Sequence, residues 1–371
     1  MTQTQRNVPV EDWPILRAFL PQGWEGMARS SGALRRVREI PDAECLLRVL
    51  LLHVANGYSL AETAVRARQL GVEVSAVAIF KRLQASEEWL RWLAEKQRGT
   101  QHSVLESQGR PVRAVDATTV SEPGSTGTDW RVHYSLNLAN LQCDFFELTS
   151  AEGGETLRRV PIQARDIILG DRLYATPVGV AHVVKAQADI VVRLNRQSLP
   201  VFDNEGTRLN VLGLFRKLKV AQTQEWLAQV KRPDGGWRPG RLIAVKRSAQ
   251  ATRIARRRLE RKASKSQKKV SRESWEAAQY FAVWTTLPTT FSAEAVLELY
   301  RLRWQIELAF KRMKSILGLG HLPKKDPASA RAWLHGKIFV SLLVERMVEA
   351  ADSISPWGYQ LGSAAKPVEG N

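Results

Sequence analysis

Cysteine is nearly absent from this chain of 371 residues. The two present, Cys45 and Cys143, lie far apart and lack both the paired spacing of a zinc site and the density of a disulfide framework. A cysteine-stapled scaffold is therefore excluded, and a reducing cytoplasm is the expected location. Long hydrophobic runs are missing as well. The most apolar stretches, 46–55 and 338–348, carry Arg48 and Glu345 and are too short to span a bilayer. The opening MTQTQRNVPVEDW has no basic segment followed by an apolar one, so no secretory leader is expected and no membrane partner. Acidic residues are scarce beside basic ones: 37 Asp and Glu against 55 Lys and Arg, a net charge of +18. That excess is far beyond what solubility needs and points to a polyanionic partner, most simply nucleic acid. No internal repeat is visible, and the length suits two domains or one large domain with insertions.

Against this background one stretch stands out, L-Y-R-L-R-W-Q-I-E-L-A-F-K-R-M-K-S-I-L, whose spacing predicts a single helix over 299–317. On such a helix Tyr300, Arg303, Glu307 and Lys314 fall within roughly a 60° arc, because seven residues make close to two turns. Leu299, Ile306, Phe310, Met313 and Leu317 form an apolar stripe beside them, which would put the Glu307 carboxylate at the rim of a buried face. The plain alternative is an amphipathic surface helix with ordinary ion pairs. The spacing Tyr, two residues, Arg, three residues, Glu, six residues, Lys resembles the Y-R-E-K signature of bacterial DDE transposases of the insertion-sequence-four family. That resemblance demands two upstream aspartates, each following an apolar strand.

Residues 1–105 read as an all-α N-terminal domain, with apolar positions at helical spacing in C-L-L-R-V-L-L-L-H-V-A and E-W-L-R-W-L-A-E-K. Between these runs Ser59 and Glu62 form a capping box, Gly71 breaks the helix and Ser75 caps the next. The pattern resembles a helix-turn-helix. Its second helix, from Ala76 through Lys81 and Arg82, would enter a major groove, with Arg66 and Arg68 near phosphates. A helical hairpin that only packs is the alternative.

Within 106–198 the period changes. R-P-V-R-A-V-D-A-T-T-V predicts a short strand with Asp116 at or near its end, and W-R-V-H-Y-S-L and C-D-F-F-E-L-T follow as strands joined near Ala139 and Asn140. D-I-I-L-G-D-R-L-Y-A-T then places Asp171 just after an apolar strand, ahead of a helix-like run and the strand A-D-I-V-V-R-L. Asp166, before the strand, is the poorer candidate acid. On pattern alone the class is mixed α/β. The resemblance implies more, a ribonuclease H-like mixed sheet core. Asp171, Arg172 and Tyr174 match that family's A-D-R-G-Y segment, with Leu173 in place of the Gly.

A mostly β insertion is expected over 199–288, before the catalytic helix, and the 135 residues between Asp171 and Glu307 leave room for it. It contains a basic segment, 253–272, whose Arg256, Arg257, Arg258, Lys268 and Lys269 could track a phosphate backbone. A solvated helix or a disordered arm is the alternative. The closing strand Y-F-A-V-W-T-T-L-P puts Tyr280 and Trp284 on one side and Phe281 on the other, so at most one set can face a substrate. Phe281 and Trp284 are the candidates for base stacking; Phe281 matches, by its spacing to Tyr300, a position at which some relatives stack a flipped base. C-terminal catalytic helices are expected over 289–352, with Asp326 capping a second helix, and a loose tail over 353–371.

By the resemblance, Asp116, Asp171 and Glu307 are the catalytic acids and hold Mg²⁺ or Mn²⁺, with Asp116 bridging two ions. Hard cations call for such oxygen ligands, and two ions clamp the attacking and leaving oxygens of a phosphodiester. Arg303 would grip a phosphate bidentately, Lys314 would act as a point charge and Tyr300 would hydrogen-bond a phosphate oxygen. His133 is expected to be structural or to contact phosphate. The implied function is a DNA transposase that cleaves at the terminal inverted repeats of an insertion sequence and joins 3′-hydroxyl ends to target double-stranded DNA, working as a homodimer in a synaptic complex. The rival readings are a ribonuclease H-like nuclease or resolvase without strand transfer, and a non-catalytic DNA-binding protein.

Overall fold

The computed structural model describes residues 12–99, 104–105 and 108–352. Six helices open the chain: α1 (Trp13–Ala18), α2 (Trp24–Ser30), α3 (Ala43–Val54), α4 (Leu60–Gln69), α5 (Ala76–Ala85) and α6 (Glu87–Gln97). Strands β1 (Val112–Val120), β2 (Trp130–Asn137), β3 (Gln142–Ser150) and β4 (Ile167–Gly170) follow, then α7 (Pro177–Lys185), β5 (Asp189–Arg193) and β6 (Val201–Phe202). Next come α8 (Val211–Arg216), β7 (Thr223–Leu227), β8 (Gln229–Lys231), β9 (Trp237–Arg238) and β10 (Arg241–Lys246). The chain continues through α9 (Ala249–Lys265), α10 (Arg272–Ala277), β11 (Tyr280–Thr285), α11 (Ala293–Arg301), α12 (Trp304–Ser315) and α13 (Pro327–Asp352).

These elements form two compact units. The first takes the described residues up to Arg98 with 119–130 and 311–352; the second takes those of 99–118 with 131–310. The expected C-terminal block 289–352 is thus divided between them. In the first unit the caps read from the sequence are present: Ser59 accepts the Glu62 N–H, Ser75 the Ala78 N–H and Asp326 the Ser329 N–H. Its core joins Leu46, Leu47 and Leu50 of α3, Trp89 and Leu93 of α6, and Trp333, Leu334 and Phe339 of α13, all buried. Gly336 lets α13 approach closely, since a Cβ there would meet Val54 Cγ1 at 2.9 Å. The tail at 353–371 lies outside the described residues.

The second unit is built on an eight-stranded mixed sheet in the order β3-β2-β1-β4-β5-β11-β10-β7. Strands β1, β4 and β5 run parallel, whereas β5, β11, β10 and β7 pair antiparallel. All four residues of β4 are buried, the pattern of a parallel strand covered on both faces. One face carries a core of Val115, Ile168, Ile190, Val192, Leu242 and Trp284 under Val180, Val183 and Phe215. On the other face, Phe310 of α12 meets Tyr134 of β2 with ring centroids 5.7 Å apart.

The structure adds detail to four of the regions read from the sequence. The strand bearing Asp116 runs on to Val120, so Asp116 is its fifth residue rather than its end. In the region of the expected mostly β insertion, β7, β10 and β11 extend the core sheet, and β6, β8 and β9 form a small sheet of their own. The basic segment 253–272 is mostly helix, the solvated alternative: its residues 253–265 lie in α9, which buries none of its residues. The predicted single helix over 299–317 is two helices, α11 and α12, separated at Leu302 and Arg303. Bonds from Leu302 N–H to Leu299 O, Arg303 N–H to Tyr300 O and Ile306 N–H to Arg303 O tighten the chain there into i→i+3 turns. The break coincides with Tyr300 and Arg303 both being held by the sheet.

The register of β1 on β4 is secured by a buried ion network. Arg113 donates Nε and Nη2 to Asp144 of β3 at 2.7 and 2.9 Å, and Nη1 to Asp166 at 2.9 Å and to the Pro161 carbonyl at 2.7 Å. Burial opposes the guanidinium charge, but the two carboxylates outweigh it and raise its pKa further. Asp166 is thereby a structural partner, which removes it as a candidate site acid. Arg113→Met would strand two buried carboxylates, and we expect a loss of roughly 3–5 kcal/mol in urea unfolding. A loss below about 1 kcal/mol would show that something else holds β1 in place.

Candidate active site

In the parallel pairing of β1 and β4, Val115 lies opposite Gly170, the last residue of β4. Asp116 and Asp171 are the next residue on each strand. The sheet thus brings the two carboxylates side by side in the crevice past the carboxyl end of β4, where open α/β sheets bind their ligands. Asp116 Oδ1 accepts its neighbour Ala117 N–H at 2.8 Å, and Asp171 Oδ1 accepts Leu173 N–H at 2.6 Å. Gly170 also admits Tyr174, because a Cβ there would come within 2.9 Å of the Tyr174 Cβ. Tyr174 is buried beneath the pair, and its phenol pKa is pushed up by burial and then by Asp116, Glu155 and Asp171.

Burial raises the Asp116 pKa to about 6; Ala117 N–H and Arg303 pull it down, and the charges of Asp171 and Glu155 push it up. Glu155 is a residue that sequence reasoning missed. It lies in the loop between β3 and β4, paired with Arg131 at 3.5 Å. Burial raises its pKa, Arg131 lowers it and Asp171 raises it. Only folding ties this Glu to the aspartates, and the A-E-G-G-E-T run carries no spacing that would reveal it.

Glu307 joins the site through Arg303. That guanidinium donates Nη1 to Asp116 Oδ2 at 3.2 Å and Nη2 to Glu307 Oε1. Burial opposes the Arg303 charge, but Tyr300, Glu307 and Asp116 raise its pKa above the ordinary arginine value. Among the described residues no three acidic, His or Cys side chains converge closely enough to share one ion in this arrangement. The donors are nonetheless those a hard divalent cation takes, all carboxylate oxygens, and a cationic guanidinium already sits between two of them. The acids fit such an ion in chemistry and charge.

Several side chains assigned to phosphate by spacing are engaged otherwise. Tyr300 is buried with its hydroxyl donating to the Gly170 carbonyl at 3.1 Å, and burial raises its pKa to about 12. Arg303 is bound to carboxylates, as above. Lys314 belongs to the first unit, where its Nζ donates to the Thr119 carbonyl at 2.8 Å. Arg82 turns inward to the carbonyls of Ala33 and Arg36, whereas Lys81 beside it is exposed. Arg66 pairs with Glu62 and lies over the Tyr58 ring at 3.9 Å, and Arg68 pairs with Glu73. Trp284 is fully buried, its Nε1 donating to the Ala228 carbonyl, so it is a core residue and no base stacks on it.

Phe281 is different. It is half-buried, 5.5 Å from the Tyr300 ring, with the guanidinium carbons of Arg193 and Arg247 each 5.7 Å from its centroid. Burial and the charges of Arg193, Arg172 and Arg258 push the Arg247 pKa down to about 10. Beyond Arg247 a cleft lined by Lys246, Arg253, Arg256, Arg257 and Trp275 runs along α9. Arg256 is propped in it, its guanidinium 4.7 Å from the Trp275 ring. Arg257, Arg258, Lys268 and Lys269 are exposed. His133 is buried, its Nε2 3.0 Å from Thr149 Oγ1, and burial with Arg159 and Arg131 nearby lowers its pKa to about 4. It is a neutral structural residue.

The family described as the transposase DDE domain matches residues 149–343, a span that contains Asp171 and Glu307 and begins after Asp116. An Escherichia coli K12 protein provisionally named transposase InsL for insertion sequence element IS186A is 33% identical over 360 residues, covering 94% of this chain and 97% of its own length. The Escherichia coli transposase for insertion sequence element IS421 is 32% identical over 361 residues, with the same coverage of both chains.

The raised Asp116 pKa has a consequence for stability. The folded pKa lies above the unfolded one, so this residue's stabilising contribution is fully present below about pH 4 and is lost as pH rises through about 6. In EDTA, Asp116→Asn should therefore be more stable than the wild type by roughly 2–3 kcal/mol near neutral pH. The gap should close on acidification; a difference that does not vary with pH would contradict the assignment.

Proposed function

The chain belongs to the transposase DDE family, and from that premise we propose that it cleaves DNA at the ends of an insertion sequence and joins the freed 3′-hydroxyls to target DNA. Membership brings dependence on divalent metal and DNA as the partner. No helix among the described residues is long and apolar enough to cross a membrane. The observation that carries the proposal is the placing of Asp116 and Asp171 one residue beyond a pair of register partners, with Glu307 tied to Asp116 through a shared cation.

In this reading Asp116, Asp171 and Glu307 would hold two Mg²⁺ or Mn²⁺ ions. Such ions, when bound, activate the attacking water or hydroxyl and neutralise the leaving oxygen. The protein's own residues then have distinct tasks. Ala117 N–H and Leu173 N–H orient the two aspartates by holding one oxygen of each. Tyr174 and Tyr300 wall the crevice and keep water from the buried side of the acids. Phe281, with the guanidinium carbons of Arg193 and Arg247 each 5.7 Å from its centroid, offers a ring for a base and two cations for its phosphates. Arg256, Arg257, Arg258, Lys268 and Lys269, and Lys81 in the first unit, contact phosphates without reading sequence. A homodimer holds two element ends in the synaptic complex, and the protein works in the cytoplasm, where Cys45 and Cys143 remain reduced.

The direct test is cleavage and strand transfer on labelled DNA carrying the sequences that flank the gene, with Mg²⁺ or Mn²⁺. Joined products are expected from the wild type, falling by roughly a hundredfold or more in Glu307→Gln. Metal-dependent cutting without joining would convert the assignment to a nuclease, and tight binding with neither activity would overturn a catalytic role. Because carboxylates in a DNA-facing cleft repel phosphate, Asp116→Asn should bind DNA more tightly than the wild type when metal is withheld. Replacing Lys268 or Lys269 by Ala should lower the slope of log affinity against log salt by about 1.

A further inference from the structure

Arg303 binds the same oxygens that the proposed chemistry requires for a cation. Of the two Asp116 oxygens, Oδ1 is taken by Ala117 N–H and Oδ2 by Arg303 Nη1, while Arg303 Nη2 takes Glu307 Oε1. The Arg303 and Asp116 side chains are 13% and 19% exposed, so solvent and salt screen that arm of the bridge poorly, whereas Glu307 is 59% exposed. Arg303 Nε is buried without a partner. The residue lies on the tight turn between α11 and α12, held by i→i+3 bonds rather than a continuous helix ladder. A divalent ion at Asp116 Oδ2 and Glu307 Oε1 would stand within a few ångströms of the guanidinium, and the repulsion between the two cations opposes their sharing these oxygens. Among the described residues Arg303 is ion-paired with Asp116 and Glu307, and Arg172 and Arg193 cluster on the Tyr300 side of the crevice. An anion is what such a group needs once displaced.

We propose that Arg303 is an exchange residue: it occupies the acids when metal is absent, and incoming metal releases it to a DNA phosphate. This rests on the transposase reading. It goes beyond that reading in making metal and DNA binding positively linked through one side chain, and by linkage each ligand tightens the other by the same factor. The site then resists ions until DNA is present, which limits unproductive metal loading.

The test is Mn²⁺ affinity of the full chain, read from the paramagnetic resonance signal of the free ion, with and without a duplex carrying the gene's flanking sequence. Without DNA, Arg303→Gln should bind Mn²⁺ about tenfold tighter than the wild type, within the usual range of such couplings. Arg193→Gln removes a nearby charge that touches neither carboxylate, and should change the affinity by less than about threefold. Adding the duplex should tighten Mn²⁺ about tenfold in the wild type and much less in Arg303→Gln. Arg303→Lys keeps the charge without the two-pronged fork, so it should fall between wild type and Arg303→Gln, and it serves if the Gln variant does not fold. Affinity in the Arg303 variants no tighter than in the wild type, or no tighter than in Arg193→Gln, overturns the exchange. Mn²⁺ binding that survives both Asp116→Asn and Glu307→Gln overturns the site reading beneath it.

Discussion

A buried guanidinium, that of Arg113, sets where β1 lies against β4, and the position of the acids follows from it. The network reaches Asp144 on β3 and Asp166 just ahead of β4, so it spans the sheet from its outer strand to the entry of the strand that delivers Asp171. A shift of one residue between β1 and β4 would turn Asp116 to the opposite face and leave three buried charges mismatched. Arg110 adds a second tie at the same end of the sheet, donating to Asp189 and to the carbonyls of Arg165 and Asp166. The strand ends that carry chemistry are thus left open because their other ends are held.

Charge of both signs crowds the second unit, and its arrangement suits a protein whose partner is a polyanion. Asp116 and Glu155 lie where burial makes a negative charge costly, each beside Asp171, and Arg303 offsets part of that cost at Asp116. Around Phe281 the opposite holds: Arg193 and Arg247 flank one ring, and burial and mutual repulsion make Arg247 easier to deprotonate than an ordinary arginine. Each cluster is unfavourable alone, and an ion at the first and a phosphate at the second would relieve both. Tyr300 separates them, its hydroxyl on Gly170 and its ring between Phe281 and Arg303.

The candidate acids were legible through the resemblance, which asks for two aspartates after apolar strands and a Glu on a helix. Asp171 follows an apolar run of strand length, and the spacing of Tyr300, Arg303 and Glu307 is distinctive enough to suggest a family. The helix break at Leu302 was not legible, since no Gly or Pro marks it and the uninterrupted apolar stripe argues for continuity. Trp284 and Phe281 alternate along one strand, so the pattern separated their faces but could not say which face is covered. Only the overlying β8 region, whose Ala228 carbonyl accepts the Trp284 indole, decides that.

The sequence by itself determined the class of partner, through net charge, the mixed α/β class and the helical start with its Ser caps. These are local or summed properties, and they survive without knowledge of neighbours. The tertiary structure alone decided that β7, β10 and β11 extend the core sheet, that Glu155 stands with the aspartates, that Arg82 faces inward, and that Arg303 bridges Asp116 and Glu307. Each depends on residues brought together from far along the chain, as with the 187 positions between Asp116 and Arg303. Register, burial and ion pairing between such residues arise only when the elements pack, which is why no spacing in the chain encodes them.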